Sequence, residues 1–224
     1  MKPARIILVR HGESEGNVDK SLYNLKPDYA LELTEKGKMQ AREAGLKIKE
    51  LVGDETLFFY VSPMRRTRST FEQIVFSLKG SDIRYKEEPR IREQEWGHLR
   101  SKEESKEIEE RRDSYGTFYY RIPEGESAAD VYDRVSDFFG TLHRDFRKDD
   151  FPQNAVIVTH GMSIRLFLMK WFHRSVEEFE LLANPGNCEI ILMEKNMDGK
   201  YELKTAIKKW PSTYHTFQRP IKLL

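Results

Sequence analysis

Three short polar clusters break off from apolar runs in this chain, and their residue types suit the handling of a phosphoryl group. Arg10-His11-Gly12-Glu13 follows the apolar residues 6–9, Ser62-Pro63-Met64-Arg65-Arg66 follows residues 57–61, and His160-Gly161 follows residues 155–158. A guanidinium is always charged, and its planar fork matches phosphoryl oxygens bidentately. A neutral imidazole can attack phosphorus, and a protonated ring nitrogen can donate to its oxygens. Two histidines and two arginines meeting at one place would therefore form an anion site. Arg65 and Arg66 add a second argument. Ser62 as N-cap and Pro63 at the first helical position would put both arginines in a helix's first turn, where the macrodipole disfavours a cation by about 0.3–1 kcal/mol each. A phosphate bound at that terminus would offset this. For Arg65 alone, an ion pair with a surface carboxylate is the plainer expectation.

The clusters can meet only if the elements before them end on one rim. Residues 6–9, 57–61 and 155–158 are short β-branched or aromatic runs of the kind found in strands buried on both faces. Between them, Thr34 caps a predicted helix with an apolar face of Ala41, Ala44, Gly45, Ile48, Leu51 and Val52. Phe71, Ile74, Val75 and Leu78 stripe a second helix. Ser127 caps a third, in which Ala128, Val131, Tyr132, Val135, Phe138, Phe139 and Leu142 keep helical spacing. Ile164, Phe167, Leu168 and Trp171 mark a fourth. A hairpin is expected near the end of the chain, turning at Asp198-Gly199. Alternating strands and helices predict a three-layer α/β/α fold with a mainly parallel central sheet, whose sites lie at the carboxyl ends of the strands. Residues 99–112, "LRSKEESKEIEERR", are too polar for the core and read as a solvated helix or a mobile insertion.

Bulk properties limit the partners. The 224 residues, 38% hydrophobic and 33% charged, suit one domain over 1–224. With 38 Lys and Arg against 37 Asp and Glu, no overall field draws the chain to nucleic acid or to an anionic membrane, so any anion site must be local. A single cysteine, Cys188, excludes an intramolecular disulfide and suits a small buried hydrophobe. The first residues do not read as a signal peptide, and no stretch approaches the length of a membrane span. A reducing, cytoplasmic setting is expected, and a homodimer stays open beside a monomer.

The stretches "LVRHGESEGN", "SPMRRT", "REQEWG", "PEGES" and "VTHGMSIR", in this order, resemble the histidine phosphatase superfamily, also called the phosphoglycerate mutase-like family. The resemblance runs from about residue 5 to residue 193. It implies the phosphoglycerate mutase-like fold, no cofactor, and His11 as the residue that becomes phosphohistidine. Position by position, it implies Arg10, Arg66 and His160 as the phosphoryl cradle, Asn17 and the Gly161 N–H as pocket groups, and Glu93 as general acid. His11 would have to be neutral at its attacking nitrogen, with the other nitrogen held by the loop backbone. Glu95 is a geometric alternative to Glu93, and Glu13 could tune Arg10 or Arg66. A metal held by His11, His160, Glu13 and Glu93 is disfavoured by the adjacent arginines. Trp96, Phe139, Phe167 and Trp171 read as core. His98, His143, His173 and His215 have no such context.

The segment 98–122 must then decide the substrate. The proline-rich loop that follows an Arg-Arg pair in the cofactor-dependent mutases has no counterpart after Arg111-Arg112. "YYRIPEGES" instead resembles the fructose-2,6-bisphosphatase domain and small phosphatase-like members. There a lysine joins the arginine that Arg112 matches, and here its position falls near Thr117 and is lost. Arg112, Arg121 and Tyr120 are candidates for a second anionic group, and Arg112 reads equally well as the end of a charged helix. These readings predict a phosphatase acting on a small phosphorylated metabolite, with a phosphoglycerate mutase and an inactive phospho-ligand-binding module as the rivals.

Overall fold

The structure is a computed structural model that describes residues 2–98 and 101–210. Strand β1 (Arg5–Arg10) leads to a short helix α1 (Glu15–Val18), 3-10 turns at Lys20–Asn24 and Asp28–Ala30, and helix α2 (Glu35–Val52). Then come β2 (Leu57–Val61), α3 (Arg65–Ser77), β3 (Ile83–Glu87), a 3-10 turn at Pro89–Ile91, α4 (Lys102–Tyr115) and α5 (Ala128–Asp145). Last are β4 (Asn154–Thr159), α6 (Gly161–Trp171), α7 (Val176–Glu180), β5 (Ile190–Lys195) and β6 (Tyr201–Leu203).

The strands form one sheet in the order β3-β2-β4-β1-β5-β6. The first four strands run parallel, while β5 is antiparallel to β1 and β6 to β5. Successive side chains of a strand face opposite sides, and both sides here are covered. Ile6, Leu8, Ala155 and Ile157 pack under α5 and α6. Ile7, Val9, Val156 and Val158 pack under α2 and α3. This double burial explains why β1 and β4 read as unbroken apolar runs, and it makes the expected three layers. Because β1, β2 and β4 are parallel neighbours, Arg10, Val61 and Thr159 end on the same rim.

Thr34 caps α2 as expected, its hydroxyl accepting from the Gly37 N–H at 3.0 Å. Leu51, assigned to the buried stripe, is instead 37% exposed, because it sits at the stripe's edge in the last turn. Gly45 lets α2 settle on α3, since a Cβ there would stand 2.6 Å from the Ile74 carbonyl oxygen. Ser127 caps α5 with a reciprocal box to Asp130. The hairpin turns at Asp198-Gly199, where Gly199 has φ +77° and the Asn196 side chain accepts from two N–H groups of the turn.

Two points differ from expectation, while the helix reading of residues 99–112 holds for those described. Ser62 does not cap α3: the N-cap is Met64, which leaves Arg65 and Arg66 in the first turn but frees the Ser62 hydroxyl for another partner. Strand β3 had no place in the predicted order. Its sequence, Ile-Arg-Tyr-Lys-Glu, carries the charges of an exposed edge strand and not the apolar run of a central one. Of the stretch 99–112, residues 99 and 100 lie outside the described residues. The rest is helix α4, capped by Ser101, polar outside but anchored by buried Ile108.

The loop after β1 passes tightly against the start of α2. A Cβ on Gly12 would run into the Gly37 carbonyl oxygen, and one on Gly37 into that of Glu13. Gly37→Ala should therefore cost about 1–3 kcal/mol in urea unfolding, the usual penalty for overpacking. Unchanged stability would show that the loop has room to move.

Candidate active site

His11 directly follows β1 and is held from three sides. Its N–H donates to the Thr159 carbonyl of β4 at 2.9 Å, and its own carbonyl accepts from the Asn187 side chain at 3.1 Å and the Cys188 N–H at 3.3 Å. The Gly12 N–H donates to the buried Thr70 hydroxyl of α3 at 3.0 Å. The ring's Nδ1 lies 2.8 Å from the Gly12 carbonyl oxygen. A carbonyl can only accept, so this nitrogen carries the proton and Nε2 keeps its lone pair. Burial, reinforced by Arg66 and Arg10, pushes the His11 pKa well below the ordinary histidine value. The imidazole is held neutral and oriented, the state a nucleophilic role requires.

His160 stands beside it, with ring centroids 5.2 Å apart. Its Nε2 is 2.8 Å from the Ser62 hydroxyl, and its buried Nδ1 is 3.4 Å from Glu93 Oε2, beyond hydrogen-bond length. Burial, with Arg66 again, also pushes the His160 pKa well down. If the Ser62 hydroxyl donates to Nε2, the single proton of His160 sits on Nδ1, facing Glu93. The Glu93 side chain is 20% exposed, and burial raises its pKa against the opposing pull of Arg66 and Arg10. A carboxyl that resists ionisation is suited to giving a proton.

Two cations complete the centre. Arg66 is 1% exposed and forms a bidentate pair with Asp28, at 2.8 and 3.1 Å. Burial alone would weaken that cation, but Asp28 and Glu93 outweigh it and hold it charged. Arg10 donates to the Pro185 carbonyl at 2.7 Å and keeps a buried Nε with no partner. Arg10, His11, Arg66 and Glu93 line a cavity of about 290 Å³, and His160 packs against the ring of His11 without lining it. That volume suits a small ligand.

Asn17 and Gly161 line this cavity as expected, and Asn17 Oδ1 accepts from the Asn187 side chain at 3.1 Å. Gly161 begins α6 and is pressed against Asn184, which a Cβ would meet at 2.8 Å. Arg112 also lines it, lying over Trp96 at 5.1 Å with a buried, unpartnered Nε. It does more than close a charged helix, and Trp96, expected in the core, forms part of the cavity wall. Arg121 is not brought in, because it pairs with Asp130 at 2.6 Å and with the Gly125 carbonyl. Tyr120 packs edge-on against Tyr115 at 6.1 Å and is not part of the lining. Glu95 points to a neighbouring surface groove. Glu13 does not tune either arginine: its carboxylate accepts from Thr34 and Lys36 at 3.0 and 2.7 Å. Cys188 is buried, its thiol pushed up to about 12 by that burial. Phe139, Phe167 and Trp171 stack on one another in the core. His215 lies outside the described residues.

Asp28, Tyr23, Lys20, Ser62, Asn184 and Asn187 are site residues that the sequence reading missed. Ser62 and the "NPGN" turn carried a signal, being polar and placed at strand ends. Tyr23 and Asp28 lie in short 3-10 turns, too brief for any periodicity to point to them. Side-chain atoms of His11, Glu93 and His160 lie within 4.8 Å of one another, close enough to surround an ion. Arg10 and Arg66 beside them oppose a dication and favour an anion.

The sequence profile of the histidine phosphatase superfamily (branch 1) matches residues 6–207. The chain is 48% identical to phosphoglycerate mutase-like protein AT74 of Arabidopsis thaliana, over 90% of this chain and 68% of the relative. It is 31% identical to broad-range acid phosphatase DET1 of Saccharomyces cerevisiae, over 93% and 91%. Among solved structures, a mycobacterial glucosyl-3-phosphoglycerate phosphatase in complex with VO3 matches with a TM-score of 0.71 at 21% identity, covering 92% of this chain and 99% of that one. At that identity the likeness is one of fold. Among the described residues, no helix is long and apolar enough to cross a membrane.

Removing Asp28 would leave the buried Arg66 charge without its ion-pair partner. Asp28→Ala should cost about 3 kcal/mol in denaturant unfolding, and millimolar inorganic phosphate should restore part of the loss by replacing the carboxylate. A loss below about 0.5 kcal/mol would show that Arg66 does not depend on the pair.

Proposed function

The chain belongs to the histidine phosphatase superfamily, and on that footing we propose that it is a metal-independent phosphomonoesterase working through a phosphohistidine at His11. The observation that carries this reading is the orientation of His11: Nδ1 is tied to the Gly12 carbonyl, and Nε2 is left for a cavity bordered by Arg10, Arg66 and Glu93. A substrate phosphoryl group would be cradled by Arg10, Arg66, the His160 Nδ1–H and the Gly161 N–H. His11 Nε2 attacks phosphorus as the bond to the ester oxygen breaks, and the Glu93 carboxyl passes its proton to that oxygen. The Glu93 carboxylate then takes a proton from water, which attacks phosphorus. The P–N bond breaks, phosphate leaves, and His11 is neutral again. In a loose transition state most of the acceleration comes from such placed positive donors.

The cavity volume favours a small phosphorylated metabolite as substrate, and Arg112 over Trp96 offers a contact for a second anionic group. The relative named as a broad-range acid phosphatase supports hydrolysis over transfer. Relatives named as phosphoglycerate mutases keep transfer as the rival outcome.

Two measurements test the reading. Rapid quenching into alkaline denaturant, in which a phosphohistidine survives, should show the wild type labelled on histidine by a 32P-labelled monoester, with the label lost to water as inorganic phosphate. His11→Ala should remove both the label and the turnover. Turnover that survives His11→Ala would overturn the mechanism, and label passed to monophosphoglycerate with little hydrolysis would point to a mutase. EDTA should leave the rate unchanged, and loss restored by one divalent ion would contradict metal independence.

The pH profile of kcat/KM should be bell-shaped. Its acid limb, protonation of His11, falls below the ordinary 6.5. Its alkaline limb, ionisation of Glu93, lies above the ordinary 4.5, and Glu93→Gln should abolish that limb.

A further inference from the structure

Residues 92–97, which carry Glu93, form neither helix nor strand, so their path depends on bonds from other elements. Thr159 donates to the Ile91 carbonyl at 2.6 Å, and Ser163 to that of Arg92 at 3.1 Å. The most extensive grip comes from Arg134 on α5, which does not line the cavity. Its guanidinium uses all five N–H donors. Nη1 donates to the carbonyls of Arg90 and Arg92 at 2.7 and 2.9 Å, and Nη2 to the Glu93 carbonyl at 3.0 Å. The remaining Nη2 and Nε donors go to the two oxygens of Glu126, at 2.9 and 3.0 Å.

Glu126 extends the grip. Its carboxylate also accepts from Arg92 at 2.8 Å and from the Glu95 N–H at 3.0 Å. Its backbone donates to the Glu95 carbonyl at 2.9 Å and accepts from the Gln94 side chain at 2.8 Å. Close approach of the two segments needs glycine, because a Cβ on Gly125 would run into the Glu95 carbonyl oxygen. The "PEGES" stretch thus acts as a buckle over the loop.

We propose that Arg134, with Glu126 as its counter-charge, is the positioning residue for Glu93, fixing its backbone so that the carboxyl stands 3.4 Å from His160 Nδ1. This rests on Glu93 acting as the general acid, as proposed above. Lysine keeps the charge but offers three donors on a single atom, so it cannot satisfy three carbonyls and a carboxylate in one plane.

The test compares Arg134→Lys with wild type on 4-nitrophenyl phosphate, whose leaving group needs little protonation, and on glycerol 1-phosphate, whose leaving group needs it fully. The expected result is a loss in kcat of about 30-fold on the alkyl ester but under about 3-fold on the aryl ester, with KM nearly unchanged. In a Glu93→Gln background, Arg134→Lys should cause no further loss on the alkyl ester. Equal losses on both esters, or losses that add in the double variant, would overturn the proposal and leave Arg134 a structural residue. Glu126→Gln, which keeps its shape, should give the same selective pattern at smaller size, and it replaces Arg134→Lys should that protein fail to fold. A crystal structure of whichever variant folds gives a readout that needs no turnover. Glu93 Oε2 should move from His160 Nδ1 by about 1 Å, a misplacement of the size that slows turnover by one to two orders of magnitude. A carboxyl that stays in place overturns the proposal. If wild type hydrolyses neither ester, the phosphatase reading fails, and the crystal structure alone decides what Arg134 holds.

Discussion

Two imidazoles and two guanidiniums share one buried rim, and they can do so only because the imidazoles carry no charge. A protonated His11 would face Arg10 and Arg66 in a setting poor in water, where like charges repel strongly. Burial, reinforced by the same arginines that would receive an anion, therefore keeps His11 neutral. Each cation is compensated separately: Arg66 by Asp28, and Arg10 by the Pro185 carbonyl and the field of Glu93. Glu93 in turn sits near enough to both arginines to feel their pull, yet burial wins and holds its pKa up. His11, Glu93 and the two arginines are thus one electrostatic unit.

The fold builds that unit by ending three parallel strands together. β1 delivers Arg10 and His11, β2 delivers Ser62, and β4 delivers His160, with strand ladders fixing their relative height. The helices add what the strands cannot. The start of α3 brings Arg66 and Thr70, α6 brings Gly161, and α4 lays Arg112 and Glu109 along the cavity wall. Lys20 reaches across to Glu109 at 2.7 Å, tying the loop after β1 to α4. Exposed on both sides, that pair contributes little stability.

What was legible in the sequence follows from what burial imposes. β1, β2 and β4 could be read because strands covered on both faces must be apolar at every position, and α5 because one face must repeat over several turns. β3 could not be read, since an edge strand with Arg84, Lys86 and Glu87 has no such constraint. His11, Arg10, His160 and Arg66 were recognisable because each stands in a motif at a strand or helix end, and Glu93 because of the motif around it; the structure gathers them. Ser62 was misread because Ser-Pro before a helix is also the local signature of a cap, and only the neighbouring strand reveals His160 as its partner. Arg121 and Tyr120 were candidates by residue type and nearness to Arg112, and neither tells which side a loop residue faces. Asp28 and Tyr23 come from short 3-10 turns, too brief for periodicity to mark them.

The protonation state of His11 tests this account most directly, because everything else is arranged around it. Long-range 1H–15N correlation spectra of histidine-labelled protein at neutral pH resolve both ring nitrogens. The account predicts a neutral His11 ring with its proton on Nδ1 and a bare Nε2. A doubly protonated ring, or a proton on Nε2 with Nδ1 bare, would contradict it.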